Sequence, residues 1–313
     1  MPLITKWGGM WDSLPFNSGR KFFVSPGATY TIEGETYSAS NNNDGLSPER
    51  ALRTIAGAQT KVTASADDMV ILLPGAHTVS TASIAASKAR VTYWGMPGGS
   101  NNWVRPRTSV TTDITADQIF NVTAADIEFA NIRFIPITAS SAIDFTLAAA
   151  RLYVHDCSID MATPAADTAT QGIAATASTI APANVLIEHN YFEITGAQGA
   201  ALVMGDCQDF VVSRNLFATK GGTLAVLTSQ FGVLGWGVYV DNTSVCLKNA
   251  TITKGITGTD LTSTLSVGIL RNFFGGTHTT PIDDWGTTDA FIAENYLAST
   301  GAAGGGVLWS SIT

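Results

Sequence analysis

A nine-residue pattern that returns seven times between Asp126 and Leu297 constrains this fold more than any other feature. Its second and fourth positions are apolar in every copy, which is the two-residue period of a strand with one buried face. Its ninth position is also always apolar. A helix is excluded because the period is two and β-branched residues are frequent. The copies are Asp126–Phe134, Arg151–Ile159, Asn184–Phe192, Asp209–Phe217, Ser244–Ile252, Ser266–Phe274 and Asp289–Leu297.

The seventh position is asparagine in four copies, at Asn190, Asn215, Asn272 and Asn295. Asparagine tolerates the left-handed backbone that a sharp bend requires, and stacked asparagine side chains can hydrogen-bond along a ladder. The unequal intervals between copies predict loops inserted into some coils. We therefore predict a solenoid in which each copy supplies one strand and one bend.

These VxIxxNxF-like repeats resemble the pectate-lyase-like superfamily of parallel β-helices, over about half of the chain. Residues 22–26, 43–48 and 67–75 resemble the entry segments of that superfamily. Between them we predict a short helix with Ser47 as N-cap and Pro48 at its first position. Its apolar face is formed by Leu52, Ile55, Ala58 and Val62.

The resemblance implies an all-β fold, a right-handed parallel β-helix with a short N-terminal capping α-helix. The helix has a physical purpose, because an open solenoid end exposes apolar core and unpaired strand edges. We divide the chain into an N-terminal arm (1–20), an entry strand with capping helix (21–65), the β-helix (66–300) and a C-terminal tail (301–313).

The composition of the chain argues against some classes of binding partner. Hydrophobic residues make up 45% of the chain, which suffices for a large core, and the net charge of −8 argues against nucleic-acid binding. No apolar stretch approaches the roughly 20 residues of a membrane span, and no signal peptide is visible.

The loop Asn41–Gly45 is rich in side-chain oxygens but lacks the spacing of a defined calcium loop. We expect an Asx turn there, no metal and no cofactor, with Ca²⁺ as the alternative.

Charged side chains near the bend are the candidate catalytic residues. Stacking of the coils brings together Asp156, Glu188, His189 and Arg214. Glycosidases need two carboxyl groups, and polysaccharide lyases need a base with cationic stabilisation of the substrate. An ordinary surface charge ladder is the alternative interpretation. A second candidate, for glycan binding, is the acidic and aromatic loop Asp283, Asp284 and Trp285.

The third position of the repeat should face outward, yet it is often apolar. This predicts that another chain or an inserted loop covers the face. Similar β-helices in viral spikes and fibres form parallel trimers, so the resemblance favours a homotrimer. The predicted interface residues are Trp7, Trp11, Phe16, Leu186, Val211 and Phe291.

From these features we expect a structural protein of a bacteriophage virion, of the head decoration, fibre or spike type, assembled in the host cytoplasm. Its partners would be capsid or tail proteins, with a glycan as an option, and an enzymatic role is the less favoured one. Two alternatives remain. One is a carbohydrate-active enzyme, either a polysaccharide lyase or a tailspike depolymerase. The other is a glycan-binding adhesin.

Overall fold

The computed structural model describes most of the chain from residue 18 to residue 308. The described residues are 18–32, 34–97, 106, 108–112, 118–136, 141–146, 149–161, 171–175, 183–194, 200–205, 207–220, 223–231, 236–247, 251–258, 267–282, 290–298 and 306–308.

Three long sheets, in which almost every neighbouring pair of strands is parallel, form the molecule. Sheet 1 contains Lys21–Val24, Asp68–Leu72, Val91–Gly95, Ile127–Ala130, Tyr153–His155, Ala183–Glu188, Gln208–Ser213, Trp236–Val240, Val267–Leu270 and Ala290–Ala293. Sheet 2 contains Gly75–Val79, Thr108–Thr112, Arg133–Pro136, Ser158–Asp160, Tyr191–Ile194, Leu216–Lys220, Thr243–Leu247, Phe273–Gly275, Asn295–Ala298 and the antiparallel Gly306–Leu308. Sheet 3 contains Ile84–Ala86, Phe120–Val122, Ile143–Phe145, Gln171–Ala175, Ala200–Gly205, Thr223–Phe231, Thr251–Gly258 and Thr277–Ile282.

Each coil visits the three sheets in the same order. The strand Ile127–Ala130 of sheet 1 is followed by a bend at Asn131, then by Arg133–Pro136 of sheet 2 and Ile143–Phe145 of sheet 3. The chain then returns to sheet 1, where the next strand pairs in parallel with the one before. The fold is therefore a right-handed parallel β-helix, as the repeat predicted.

The inward positions of the repeat stack into a continuous apolar core. Phe129 packs face to face on Tyr93, with ring centroids 5.1 Å apart, and edge to face on Phe134. Farther along the axis Phe192 stacks on Phe217 at 4.7 Å. Burying one such side chain contributes about 1.5–3 kcal/mol, so these columns supply most of the driving force for the fold.

The predicted asparagine ladder is present, and it has five members. From Asn215 onward, each ladder Oδ1 accepts from the backbone N–H and side-chain Nδ2 of the preceding member, as Asn215 does from Asn190 at 2.9 and 3.1 Å. The Oδ1 of Asn190, the first member, accepts from the Cys157 N–H. Each Nδ2 also donates to the carbonyl at position four of the preceding coil, as Asn215 does to Ile187. The members are Asn190, Asn215, Asn242, Asn272 and Asn295.

The prediction that these asparagines adopt the left-handed conformation is wrong. That conformation falls one residue earlier, at position six, as in Asp156 (φ 51°) and His189 (φ 55°). The asparagine that follows points inward, and its amide bonds the backbone groups that the bend leaves unpaired.

The predicted fifth copy, Ser244–Ile252, is also in the wrong register. Here the strand of sheet 1 is Trp236–Val240, and the ladder member is Asn242. An apolar pattern misses this copy because its second position is Gly237. A Cβ on Gly237 would lie 2.3 Å from the Phe210 carbonyl oxygen, so the close approach of the two strands requires glycine.

The N-terminal cap differs from the prediction in one respect. The segment begins with a 3₁₀ helix, Pro48–Arg50, and Ser47 makes no side-chain cap bond. The α-helix is Ile55–Lys61, and Thr54 is its N-cap, accepting from the Gly57 N–H at 2.9 Å. The two helices are separate because Leu52 between them is extended and bridges to Val24 of sheet 1. The predicted apolar face, Leu52, Ile55, Ala58 and Val62, is buried.

The other described elements are a two-stranded antiparallel hairpin, Thr29–Ile32 and Glu35–Ser38. In the part of the chain that the structure describes, no helix is long and apolar enough to cross a membrane.

Candidate functional site

The outer face of sheet 1 is divided into three zones along the axis of the β-helix. At the N-terminal end it is covered: Met69, Ile71, Trp94 and Ala130 form a second buried apolar cluster, against which Tyr30 of the hairpin packs. Beyond this cover the face is open, first with polar side chains and then with apolar ones. The polar zone is the candidate site.

His155 is the centre of the polar zone. Its Nε2 lies 2.9 Å from Glu128 Oε1, and its Nδ1 lies 2.7 Å from Asp156 Oδ2. The ring stacks on that of Tyr153, with centroids 4.1 Å apart. Because both ring nitrogens face carboxylates, the imidazole is held in the doubly protonated, cationic form.

A second carboxylate pairing lies beside the first. The Tyr153 hydroxyl donates to Glu188 Oε1 at 2.6 Å, and the Ser213 hydroxyl lies 3.5 Å from the other oxygen of Glu188. On the opposite side, the Thr92 hydroxyl donates to Glu128 at 2.8 Å. We call the polar cluster the set Thr92, Glu128, Tyr153, His155, Asp156, Glu188 and Ser213.

The strand register explains why these residues meet. Glu128 and Tyr153 occupy position three of paired strands, and His155 and Glu188 occupy position five of the next pairing. Side chains at these positions point out of the same face, about 4.8 Å apart across each strand pair. Position-three and position-five residues of adjacent coils are therefore diagonal neighbours, within reach of long side chains.

The pKa values in the polar cluster are shifted in consistent directions. Burial opposes the charge on His155, but its hydrogen bonds with Asp156 and Glu128 outweigh this and raise its pKa to about 9. The same hydrogen bonds lower the pKa of Glu128 and of Asp156. Burial, reinforced by the bond to Glu188, raises the pKa of Tyr153. At neutral pH the site therefore contains an imidazolium and ionised Glu128 and Asp156 carboxylates.

The polar cluster remains open to solvent. The side chains of Glu128, His155 and Asp156 are 33%, 18% and 50% exposed. Compared with apolar side chains of similar size, such partly desolvated charges add little net stability, because desolvation offsets the attraction. Ionisable groups with shifted pKa values that share an open face are more typical of functional sites.

The four predicted catalytic residues are distributed over two features. Glu188 is part of the polar cluster through Tyr153, and Asp156 through His155. His189 and Arg214 occupy the bend position of the next two coils, where His189 acts electrostatically on Asp156. The predicted charge ladder exists at this bend, as the Arg271–Asp241 ion pair at 2.8 Å shows. Arg214 acts on Asp241 and belongs to that ladder.

Glu128, Tyr153 and His155 were not among the predicted site residues. In the repeat, Glu128 and Tyr153 occupy the outward third position and His155 the fifth. Combining the two columns along the diagonal of the sheet would have brought them together. The predicted site was drawn from positions five and six, which selected His189 and Arg214 beside Asp156 and Glu188 and left the third position out.

Two of the three predicted interface residues that the structure describes are exposed. Val211 is 38% and Phe291 is 53% exposed, and Leu186 is half-buried. The other predicted residues lie outside the described part of the chain: Trp7, Trp11 and Phe16 of the interface and Asp283, Asp284 and Trp285 of the proposed glycan loop.

In the Asn41–Gly45 loop, Asp44 Oδ1 accepts from the Leu46 N–H at 3.1 Å, which confirms the Asx turn. Among the described residues, no group of three acidic, histidine or cysteine side chains has an arrangement that could hold a metal.

Two further features were compared with the polar cluster. On sheet 2, Arg133 forms an ion pair with Asp160, and the Tyr191 hydroxyl donates to Glu193 at 3.1 Å, but both carboxylates are buried. Near the cap a cavity of about 330 Å³ contains His77, whose ring Nε2 bonds the Leu73 carbonyl. Burial lowers the pKa of His77 to about 4, which leaves it neutral. Neither feature combines an open surface with several ionised groups.

No protein-family model matches the chain, and no curated protein matches it. Several solved structures are similar in fold. A pectin methylesterase in complex with a hexasaccharide shares 12% identity over 84% of this chain and 90% of its own, with a TM-score of 0.44. A rhamnogalacturonan lyase shares 10% over 88% and 87%, with a TM-score of 0.44. A pectate lyase shares 12% over 89% and 80%, with a TM-score of 0.38. The similarity concerns the parallel β-helix, and a function has to be argued from the site.

Proposed function

We propose that this protein is a carbohydrate-active enzyme that cleaves a glycosidic bond at the polar cluster of sheet 1. The observation that supports the proposal is the open hydrogen-bonded group in which His155 joins Glu128 to Asp156 while Tyr153 bonds Glu188. The structures of similar fold bear names that refer to pectin, rhamnogalacturonan and pectate.

The chemistry requires one carboxyl group that gives a proton and one that stays ionised. His155 donates from both ring nitrogens, so it favours the ionised forms of Asp156 and Glu128. Glu188 is bonded to hydroxyl groups, which can both donate and accept. A hydroxyl partner suits either protonation state, so we assign the proton donor to Glu188 and the ionised partner to Asp156.

The test is the release of reducing ends from a panel of polysaccharides. Glu188→Gln and Asp156→Asn each keep the shape of the side chain, and each should lower kcat/KM by about 10²–10⁴-fold. Asp241→Asn is the matched control. Asp241 also occupies a bend position beside an arginine, but it belongs to a coil that is distant from the coil of His155. It should retain full activity.

Several results would contradict the proposal. Activity that survives in both Glu188→Gln and Asp156→Asn would rule out the polar cluster as the active site. Activity that is lost in Asp160→Asn but kept in both of those variants would move the site to sheet 2. A folded wild-type protein that neither binds nor cleaves any polysaccharide would rule out the proposed enzymatic function. Unfolding midpoints of each variant exclude misfolding as the cause.

The virion location and the homotrimer stay predictions. The exposure of large apolar side chains on the outer faces, notably Val211, Phe273, Phe291 and Tyr296, favours an interface with another chain, as a homotrimer would have. Sedimentation of the full chain tests the trimer.

A further inference from the structure

A column of uncharged side chains continues the polar cluster toward the C-terminal end of sheet 1. The third positions are in register from strand to strand, beginning at Tyr153. At about 4.8 Å per strand pair, the five pairings from Tyr153 to the last strand extend roughly 24 Å across the strands. Its members, which we call the apolar column, are Leu186, Val211, Val238, Gly268 and Phe291.

The neighbouring outward column adds no charge. Position five of the same strands after Glu188 contains Ser213, Val240, Leu270 and Ala293. In this part of the described face, the cations flank the column at the bend, where Arg271 pairs with Asp241 and Arg214 also acts on Asp241. A ligand lying on the column would therefore meet apolar surface and one hydroxyl.

The polar cluster itself has an excess of negative charge. Glu128 and Asp156 are both ionised, and His155, the cation among them, is already bonded to both; Glu188 adds a third carboxyl group. A further anion 4 Å from one of these carboxylates would be repelled by about 1 kcal/mol in water and about 4 kcal/mol near a protein surface. A polyuronate would bring one carboxylate for every sugar ring.

We propose that the substrate is a glycan of uncharged sugar units that lies along the apolar column, with its scissile bond over the polar cluster. This inference rests on the proposed function. The apolar column offers the ring faces of the sugars a dry surface, and the exposed ring of Phe291 ends it. A sugar unit in an extended chain advances by a distance comparable to one strand spacing, so successive units match successive coils.

The test measures binding to Glu188→Gln, which should bind without turnover. The probes are dextran, glucomannan and chitin oligosaccharides as uncharged glycans, and polygalacturonate and alginate as polyuronates, in affinity electrophoresis and calorimetry. At least one uncharged glycan should bind, and both polyuronates should bind at least tenfold more weakly. Adding Val211→Asp should weaken the binding at least tenfold. Adding Phe273→Asp, at a similarly exposed residue of sheet 2, should not.

The contradicting results separate the two proposals. Tighter binding of polyuronates, with cleavage that depends on Glu188, would overturn the substrate class and leave the proposed function standing. Binding of no glycan would overturn both. A homotrimer that Val211→Asp dissociates would show the apolar column to be a subunit interface and would overturn this inference.

Discussion

His155 should be a cation throughout the physiological range, with a pKa of about 9. The unfolded chain would titrate near 6.5, so the folded state holds this proton more tightly by about 2.5 pKa units. At about 1.36 kcal/mol per unit, the imidazolium makes the folded state more stable than the neutral ring would by roughly 3 kcal/mol. Because the folded pKa is raised, this contribution is complete below about pH 6.5 and is lost as the pH rises toward 9.

NMR titration of the histidine ring protons measures this pKa directly. The chain has only four histidines, so single substitutions assign each signal. The His155 signal should titrate near 9, and those of the buried His77 and the half-buried His278 near 4. In urea titrations the free energy of unfolding should fall by roughly 3 kcal/mol between pH 6 and pH 10.

Variants distinguish the cause of the shift. Glu128→Gln and Asp156→Asn each remove one carboxylate from the ring and should each lower the pKa of His155 by about 1–3 units. Asp241→Asn, at a distant bend, should leave it unchanged. A His155 signal that titrates at or below 6.5 in the wild type would refute the hydrogen-bonded cluster and the ionised state of Asp156 that depends on it.

Three further predictions concern the scaffold and are measured by equilibrium unfolding in urea. Asn215→Ala removes an acceptor of two bonds from Asn190 and a donor to the Ile187 carbonyl, and should lower the free energy of unfolding by about 3–5 kcal/mol. The control Asn42→Ala, in an exposed loop, should lower it by less than about 0.5 kcal/mol. Gly237→Val, whose Cβ would meet the Phe210 carbonyl, should cost about 3 kcal/mol or more; Gly268→Ala, where the nearest atom lies at 3.7 Å, should be nearly neutral. Phe129→Ala should leave a core cavity that costs about 3–5 kcal/mol. Equal losses in Asn215→Ala and Asn42→Ala, or in the two glycine variants, would contradict the ladder and the packing respectively.

The fold was predictable because its signal is repeated. A period of two with a constant apolar ninth position recurs in coil after coil, and each copy supports the register of the others. The prediction failed where a coil departs from the apolar pattern, at Gly237 and at the buried Ser244, since neither residue carries a hydrophobic signal. At Gly237 the close approach of the Phe210 carbonyl requires glycine. The ladder member Asn242 was missed with that copy.

The candidate site was only partly predictable, for a geometric reason. A repeat shows which residues share a column, and this placed Asp156, His189 and Arg214 together at the bend. The polar cluster instead lies on a diagonal, from position three of one coil to position five of the next. Hydrogen bonds such as that between His155 and Glu128 depend on side-chain length and rotamer, which a column alignment does not contain.

The arrangement of the outer face favours a ligand over a purely structural role. A face that served only as a subunit interface would gain most from continuous apolar contact, since partly desolvated charges add little net stability. Here the apolar column ends at a group of ionised side chains whose partners come from three successive coils. The hairpin covers the face up to this group and leaves the group itself open. Cleavage of a linear polymer requires a binding surface that is continuous with the catalytic carboxyl groups. Glu188→Gln separates the two interpretations, because it should abolish cleavage while leaving the binding surface intact.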